Sequence, residues 1–341
     1  MTRAEFAILG GGAIGSILAA HLVRAGHSVV VIARGERARV VERDGLRIGG
    51  LAQFAVNVRV LTDPGRLESA DALIVAMKTP GTQAALEQLQ HARLGAALSI
   101  QNGVLKNELL AAAFGADLVL GALADTSGEL LPSGEVLFTR NVSLPLGEPA
   151  GGISPRALRI AGAIDAAGVR SSAVTDITSR EWSKFTVWLG LMSMAVTMRS
   201  VSWRYLMDAD CAQLLVRLVR EIAAVARAQG IALAEDAAGL PLRMILEAPE
   251  QDAAEAVRKA GEQMRSRAPD HRMSALQDLE AGRPLEVEET FGYAVRKAGE
   301  LGLSLPLLGS FHHLVAGIDR LRRAGTSQQS ARLEPAAGRS I

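Results

Sequence analysis

Short apolar runs alternate with helical spacings through the first half of the chain. Glu5–Leu9 and Ser28–Ala33 predict strands on either side of a helix over Ala13–Ala25. Apolar runs at 72–76, 97–100 and 118–120 predict further buried strands, with helical stretches between several of them. Such alternation builds a mostly parallel sheet with helices on both faces. Alternating patterns over Gly45–Val60 and Gly134–Leu146 predict added hairpin or edge strands. The texture changes near Asp176, and from Ser179 to about Arg323 the spacing is helical almost throughout. Leu214–Arg227 and Leu285–Leu301 are amphipathic, the latter with Val287, Phe291, Ala294, Val295 and Ala298 on one side. The expected organisation is an α/β domain over 1–177, an all-helical domain over 178–324, and a polar, disordered tail over 325–341.

Composition narrows the function classes. The 341 residues carry 37 Lys+Arg against 36 Asp+Glu, a balance that argues against coating nucleic acid or an anionic membrane. The longest apolar stretch of the second half, Val187–Met198, has roughly 12 residues, short of the ~20 that a membrane span needs. No secretory signal is evident, and a cytoplasmic location is expected. Cys211 is the one cysteine, so neither a disulfide framework nor a Cys-rich zinc site is expected. His312 and His313 are adjacent and point apart on a helix, so no metal site is expected. Arginine is the default cation. Only Lys78, Lys106, Lys184, Lys259 and Lys297 are lysine, which draws attention to positions where a compact ammonium is useful.

The most specific local signal is Gly10-Gly11-Gly12-Ala13-Ile14-Gly15, between a predicted strand and a predicted helix. Gly10, Gly12 and Gly15 have the spacing of the dinucleotide fingerprint: a tight turn, close approach of a pyrophosphate, and close helix–strand packing. The helix N-terminus adds unpaired N–H groups for phosphate. This predicts a Rossmann-type, doubly wound domain. After the second strand, where an NAD site places an acid, the chain has Ala33-Arg34-Gly35. A guanidinium there can grip a 2′-phosphate, so NADP(H) is the expected cofactor, with Arg37 or Arg39 as possible assistants.

These pieces, with Val75-Ala76-Met77-Lys78-Thr79, Gln101-Asn102-Gly103, Glu181-Trp182-Ser183-Lys184, and Ser274-Ala275-Leu276-Gln277-Asp278 followed by Glu286 and Gly292, resemble the ketopantoate reductase (2-dehydropantoate 2-reductase) family over about residues 5–310. The resemblance implies a Rossmann domain joined to a helical one, and NADPH-dependent reduction of a small-molecule 2-oxo acid by a monomer or homodimer. It implies Lys184 as general acid, Glu286 binding a substrate hydroxyl or positioning the lysine, Ser274 on the substrate carboxylate, and Lys78 and Asn102 lining the cofactor and its nicotinamide end. Each has a plainer use as well. Lys184 could snorkel beside Trp182 and Phe185, Lys78 could cap a loop, Asn102-Gly103 could be an ordinary turn, Ser274 could cap a helix, and Glu286 could face a helix dipole.

The chain departs from the family at the positions four and eight after Lys184. The family places asparagines there, in contact with substrate and cofactor; this chain has Trp188 and Met192. A further polar position falls at Ser202, and Ser193 could compensate. An apolar wall discriminates weakly for a substrate hydroxyl. Two alternatives therefore stay open: a same-family reductase of a more apolar 2-oxo acid, and a non-catalytic NADP(H)-binding sensor.

Overall fold

The computed structural model describes residues 2–235 and 239–333, with 325–333 as backbone only. Two compact units emerge, Met1–Glu181 and Trp182–Ile341. The break expected after residue 177 falls after Glu181 instead, because the Glu181 carboxylate is bound to residues of the first unit.

The first unit contains β1 (Thr2–Leu9), α1 (Ala13–Arg24), β2 (Val29–Ile32), α2 (Gly35–Asp44), β3 (Leu46–Gly50), β4 (Phe54–Val56), β5 (Arg59–Leu61), β6 (Leu67–Val75), α3 (Thr82–Glu87), β7 (Arg93–Ser99), α4 (Leu105–Phe114), β8 (Val119–Ala122), β9 (Asp125–Leu130), β10 (Val136–Gly147), α5 (Pro155–Ala166) and β11 (Ser171–Ala173). Six strands run parallel in the order β5-β2-β1-β6-β7-β8. Counted along the chain this is 3-2-1-4-5-6, the Rossmann arrangement. The near-continuous apolar runs follow from burial on both faces. Phe6, Ile8, Val29 and Val31 pack on one side with Ile17 and Leu18 of α1. Ala7, Leu9, Val30 and Ile32 pack on the other with Leu86 of α3 and Leu110 of α4.

Two expected edge segments differ in detail. The 45–60 segment splits. Its hairpin, β3 and β4, ends one side of the sheet, while β5 ends the other. The 134–146 segment is no edge: it forms β10, which pairs with β3, β8, β9 and β11. Its alternation reflects partners that change along its length, not one solvated side.

His21 of α1 is buried among Phe54 and Phe138, with its Nδ1 2.9 Å from the Ala167 carbonyl and its Nε2 unpartnered. Burial pushes its pKa below the ordinary 6.5. The unfolded chain therefore takes up a proton below pH 6.5 that the folded chain refuses, and stability falls as pH drops from there toward the folded pKa. Denaturant titrations between pH 7.5 and 5.5 should show that slope in wild type and a flatter profile in His21→Phe.

The helix α6 (Ile177–Met198) contains the division between the units. The second unit continues with α7 (Ser202–Met207), α8 (Ala209–Ala228), α9 (Leu242–Glu247), α10 (Glu250–Arg267), α11 (Ser274–Glu280), α12 (Tyr293–Glu300) and α13 (Pro306–Leu333). A Cβ at Gly190 of α6 would stand 2.9 Å from Leu215 and Val219 of α8, so these two helices cross closely there. The Glu221 carboxylate of α8 accepts the N–H groups of Leu307 and Leu308, 3.2 and 2.7 Å away, in the first turn of α13. The tail expected to be disordered from 325 is corrected in part. The α13 backbone continues to Leu333, and 334–341 lie outside the described residues.

Candidate active site

The glycine loop follows β1, and two of its three motif glycines, Gly10 and Gly15, have a steric reason. Gly10 has φ +114, and a Cβ there would lie 2.6 Å from the Met77 nitrogen. A Cβ on Gly15 would strike the Gly10 carbonyl and come within 3.0 Å of the Ala76 side chain. Gly12 caps α1 without a side-chain hydrogen bond and faces open space, with only the Ala76 carbonyl 4.0 Å away. The first turn of α1, Ala13 and Ile14 included, carries no acidic residue to oppose an anion. The cradle thus fits a dinucleotide pyrophosphate.

The neighbouring candidates sit at the same edge because their strands are neighbours in register. Leu9 pairs with Ile32 and Val75, and Val75 pairs with Ser99. The residues just beyond are tied too: Gly10 N–H donates to Ile32, Ala76 N–H to Leu9 and Ile100 N–H to Val75. The edge therefore presents, in lateral order, Arg34 after β2, the glycine loop after β1, Lys78 after β6 and Asn102 after β7. Arg34 and Lys78 are exposed, and Asn102 is half-buried. One Arg34 nitrogen donates to Gln88, 3.1 Å away.

Arg37 is not the assistant that the sequence suggested. Its guanidinium donates to the Gly11 carbonyl at 2.7 Å, the Gly134 carbonyl at 2.9 Å and Ser16 Oγ at 2.8 Å. It is spent on holding the glycine loop from behind. Arg39 pairs with Glu36 on the exposed side of α2, 3.2 Å away.

Two residues named in the sequence were given no role there. Gln101 is buried; its Nε2 donates to the Met77 carbonyl at 2.9 Å and to Thr82 Oγ1 at 2.7 Å, while its Oε1 accepts from Ser99 Oγ at 2.9 Å. It braces the loop of Lys78 against the loop of Asn102. Lys106 forms a buried ion pair with Glu181, 3.1 Å apart and each side chain 3% exposed. The scarcity of lysine was the available signal for Lys106. Gln101 stood in the Gln101-Asn102-Gly103 motif, but nothing local marked its bracing role.

In the second unit, every α6 residue from 182 to 196 is buried except Lys184 and Leu191, which are half-buried. Lys184 is the one lysine of this apolar stretch. It is flanked by Trp182 and Phe185, whose rings meet edge-on with centroids 5.7 Å apart. Trp182 also lies 6.4 Å from the Tyr293 ring of α12. Trp188 is 9% exposed and Met192 1%, so Met192 offers no surface to a ligand in this conformation. Ser193 is likewise turned inward, its hydroxyl donating to the Leu189 carbonyl 2.8 Å away, and does not replace a lost amide.

Ser274 is exposed and is the first residue of α11, with Met273 rather than Ser274 at the cap position. The segment before it is tied to the start of α7. Ser202 N–H donates to the His271 carbonyl, and Ser202 Oγ lies 2.9 Å from His271 Nδ1 and 3.0 Å from Tyr205 Oη. Burial pushes the Tyr205 phenol up to about 12. Glu286 is buried and immediately precedes a helix that opens with a π turn, Glu288–Gly292. The Thr290 hydroxyl donates to the Glu286 carbonyl, which draws the first turn out of α geometry. Such turns recur at functional sites. Burial and the neighbouring Glu286 and Glu288 charges hold the Glu289 carboxyl above the usual range.

Residues 6–151 match the family described as Ketopantoate reductase PanE/ApbA, and residues 176–319 match its C-terminal counterpart. A 2-dehydropantoate 2-reductase of Archaeoglobus fulgidus is 30% identical over 312 residues, 92% of this chain and 97% of the relative. The chain belongs to the ketopantoate reductase family. It is accordingly an oxidoreductase acting on a small molecule. The fold agrees: the crystal structure of a PanE/ApbA family ketopantoate reductase from Ralstonia eutropha JMP134 superposes with a TM-score of 0.79 at 24% identity, covering 94% of this chain and all of that one. A D-mandelate dehydrogenase solved with NADH and anilino(oxo)acetate has the same fold, with a TM-score of 0.78 at 17% identity over 94% of this chain and 99% of that one. Among the described residues there is no cluster of three or more metal-ligating side chains, and no helix is long and apolar enough to cross a membrane.

Proposed function

We propose that this ketopantoate reductase family member is an NADPH-dependent 2-dehydropantoate 2-reductase with Lys184 as its proton donor. The observation that carries the reading is the row of Arg34, the glycine cradle, Lys78 and Asn102 along one sheet edge, in a chain whose family match continues through Lys184. Bound at that edge, NADPH supplies the hydride that converts the 2-oxo carbon to a 2-hydroxy carbon. The α1 N-terminus and glycine backbone receive the pyrophosphate, and Arg34 the 2′-phosphate. Lys78 and Asn102 line the nicotinamide half. The Lys184 ammonium polarises the 2-oxo carbonyl, stabilises the growing alkoxide and gives it a proton, ending as a neutral amine. Ser274 donates to the substrate carboxylate, and Glu286 accepts from a substrate hydroxyl or orients Lys184.

Arg34→Glu tests the cofactor assignment. A charge-assisted pair is worth about 1.5–3 kcal/mol, so NADPH should bind roughly 10–100-fold more weakly while NADH affinity changes little. Fluorescence titration of the two reduced cofactors measures this. An unchanged NADPH affinity would remove Arg34 from the site.

A second reading has its own support. Trp188 and Met192 stand where amides are expected, and the D-mandelate dehydrogenase likeness shows that this fold also accommodates an aromatic 2-hydroxy acid enzyme. In this reading the same residues reduce a more apolar 2-oxo acid. Turnover of 2-oxoisovalerate or phenylpyruvate in preference to 2-dehydropantoate would favour it.

A further inference from the structure

The catalytic reading uses Asn102 and Lys184, and one buried ion pair adjoins the segments that carry both. Lys106 Nζ has three protons and three acceptors: the Gln101 carbonyl at 3.1 Å, the Ala122 carbonyl, and Glu181 Oε1 at 3.1 Å. Glu181 is equally occupied. It accepts the Ala122 N–H at 2.9 Å and the Asn107 amide at 2.6 Å. The Gln101 carbonyl belongs to the peptide bond that leads into Asn102. Glu181 lies less than one helical turn before Lys184 on α6.

Stability alone is a poor reason for this arrangement. A buried ion pair is often no more stabilising than apolar residues of the same volume. What it supplies is direction: an ammonium with all three protons engaged and a carboxylate with both oxygens engaged restrict the geometry. Arginine fills most cationic positions of this chain. A lysine here delivers three protons from a single point to three acceptors on separate segments.

We propose that Lys106 and Glu181 are positioning residues for the reductase reaction. Together they fix the start of the Lys184 helix against the Asn102 loop within the first unit. The inference rests on the assignment of Lys184 as proton donor. Reacting groups displaced by ~1 Å lose on the order of 100-fold in rate, so freeing the helix start should show in turnover before it shows in cofactor binding.

The test uses the full-length protein and the double variant Lys106→Met/Glu181→Gln, which removes both charges at once. The introduced amide can still accept from Ala122 and can donate to Asn107 Oδ1, which is buried without a partner. Glu181→Asp is the companion: it keeps the charge and withdraws the carboxylate by one methylene. Rates are expressed per NADPH-binding site, so loss of folded protein does not count. Expected are a kcat lower by about 10–100-fold, an NADPH dissociation constant within about twofold of wild type, and faster hydrogen exchange at 101–103 and 178–184. Wild-type kcat and exchange in either folded variant would overturn the proposal while leaving the reductase reading intact. A wild-type protein that binds NADPH and turns over no 2-oxo acid would remove that reading, and this proposal with it.

Discussion

Lys184→Ala should lower kcat with 2-dehydropantoate by about 10²–10⁴-fold, the usual contribution of a positioned general acid, with NADPH affinity unchanged. The substitution is benign for the fold. Lys184 is half-buried at a mid-helix position and alanine is the strongest helix former, so α6 should persist. Without the ammonium, the alkoxide forming at C2 has neither a stabilising charge nor a proton source. The loss should therefore appear in kcat more than in KM. Stopped-flow single-turnover rates with saturating NADPH measure it. A variant retaining more than about a third of wild-type kcat would show that another group supplies the proton. A non-catalytic sensor would have no turnover to lose.

Lys106→Met alone should be among the most destabilising single substitutions in the first unit. It leaves the Glu181 carboxylate 3% exposed with only the Ala122 and Asn107 donors. Breaking one side of a buried pair costs about 3–5 kcal/mol. For a unit of this size, each kcal/mol lowers Tm by about 2–4 °C, so a fall of roughly 10 °C is expected. The double variant with Glu181→Gln should recover most of it, because no uncompensated charge remains. Thermal unfolding followed by circular dichroism decides the point. A single variant within roughly 2 °C of wild type would mean that the carboxylate finds another partner or water.

Legibility in the sequence followed the physics of each segment. The parallel strands were plain because burial on both faces makes them continuously apolar, and the loop after β1 was plain because Gly10 and Gly15 have steric reasons to be glycine and Gly12 completes their spacing. The edge positions of Arg34, Lys78 and Asn102 followed from those strands. β10 was legible as a hairpin strand, which its antiparallel pairing with β9 bears out, but its further pairing with β3, β8 and β11 is recorded by no local pattern. Arg37 was misassigned for a related reason: its three acceptors, at Gly11, Ser16 and Gly134, come from two distant segments. The π turn before α12 depends on the Thr290 hydroxyl competing for a carbonyl, which the apolar spacing of 285–301 hides. Lys106 was marked by the scarcity of lysine and Glu181 by its place before Lys184, but their pairing joins segments 75 residues apart and shows only in the fold.

In the second reading, Trp188 and Met192 mark the changed substrate preference. Both are buried, so the apolar positions that replace two amides are part of the packing of α6.

The most direct measurement is NADPH oxidation followed at 340 nm with 2-dehydropantoate, beside 2-oxoisovalerate and phenylpyruvate at equal concentration. The account predicts turnover that requires NADPH, is fastest with 2-dehydropantoate, and is lost in Lys184→Ala. Tight NADPH binding with no oxidation by any of the three would contradict it.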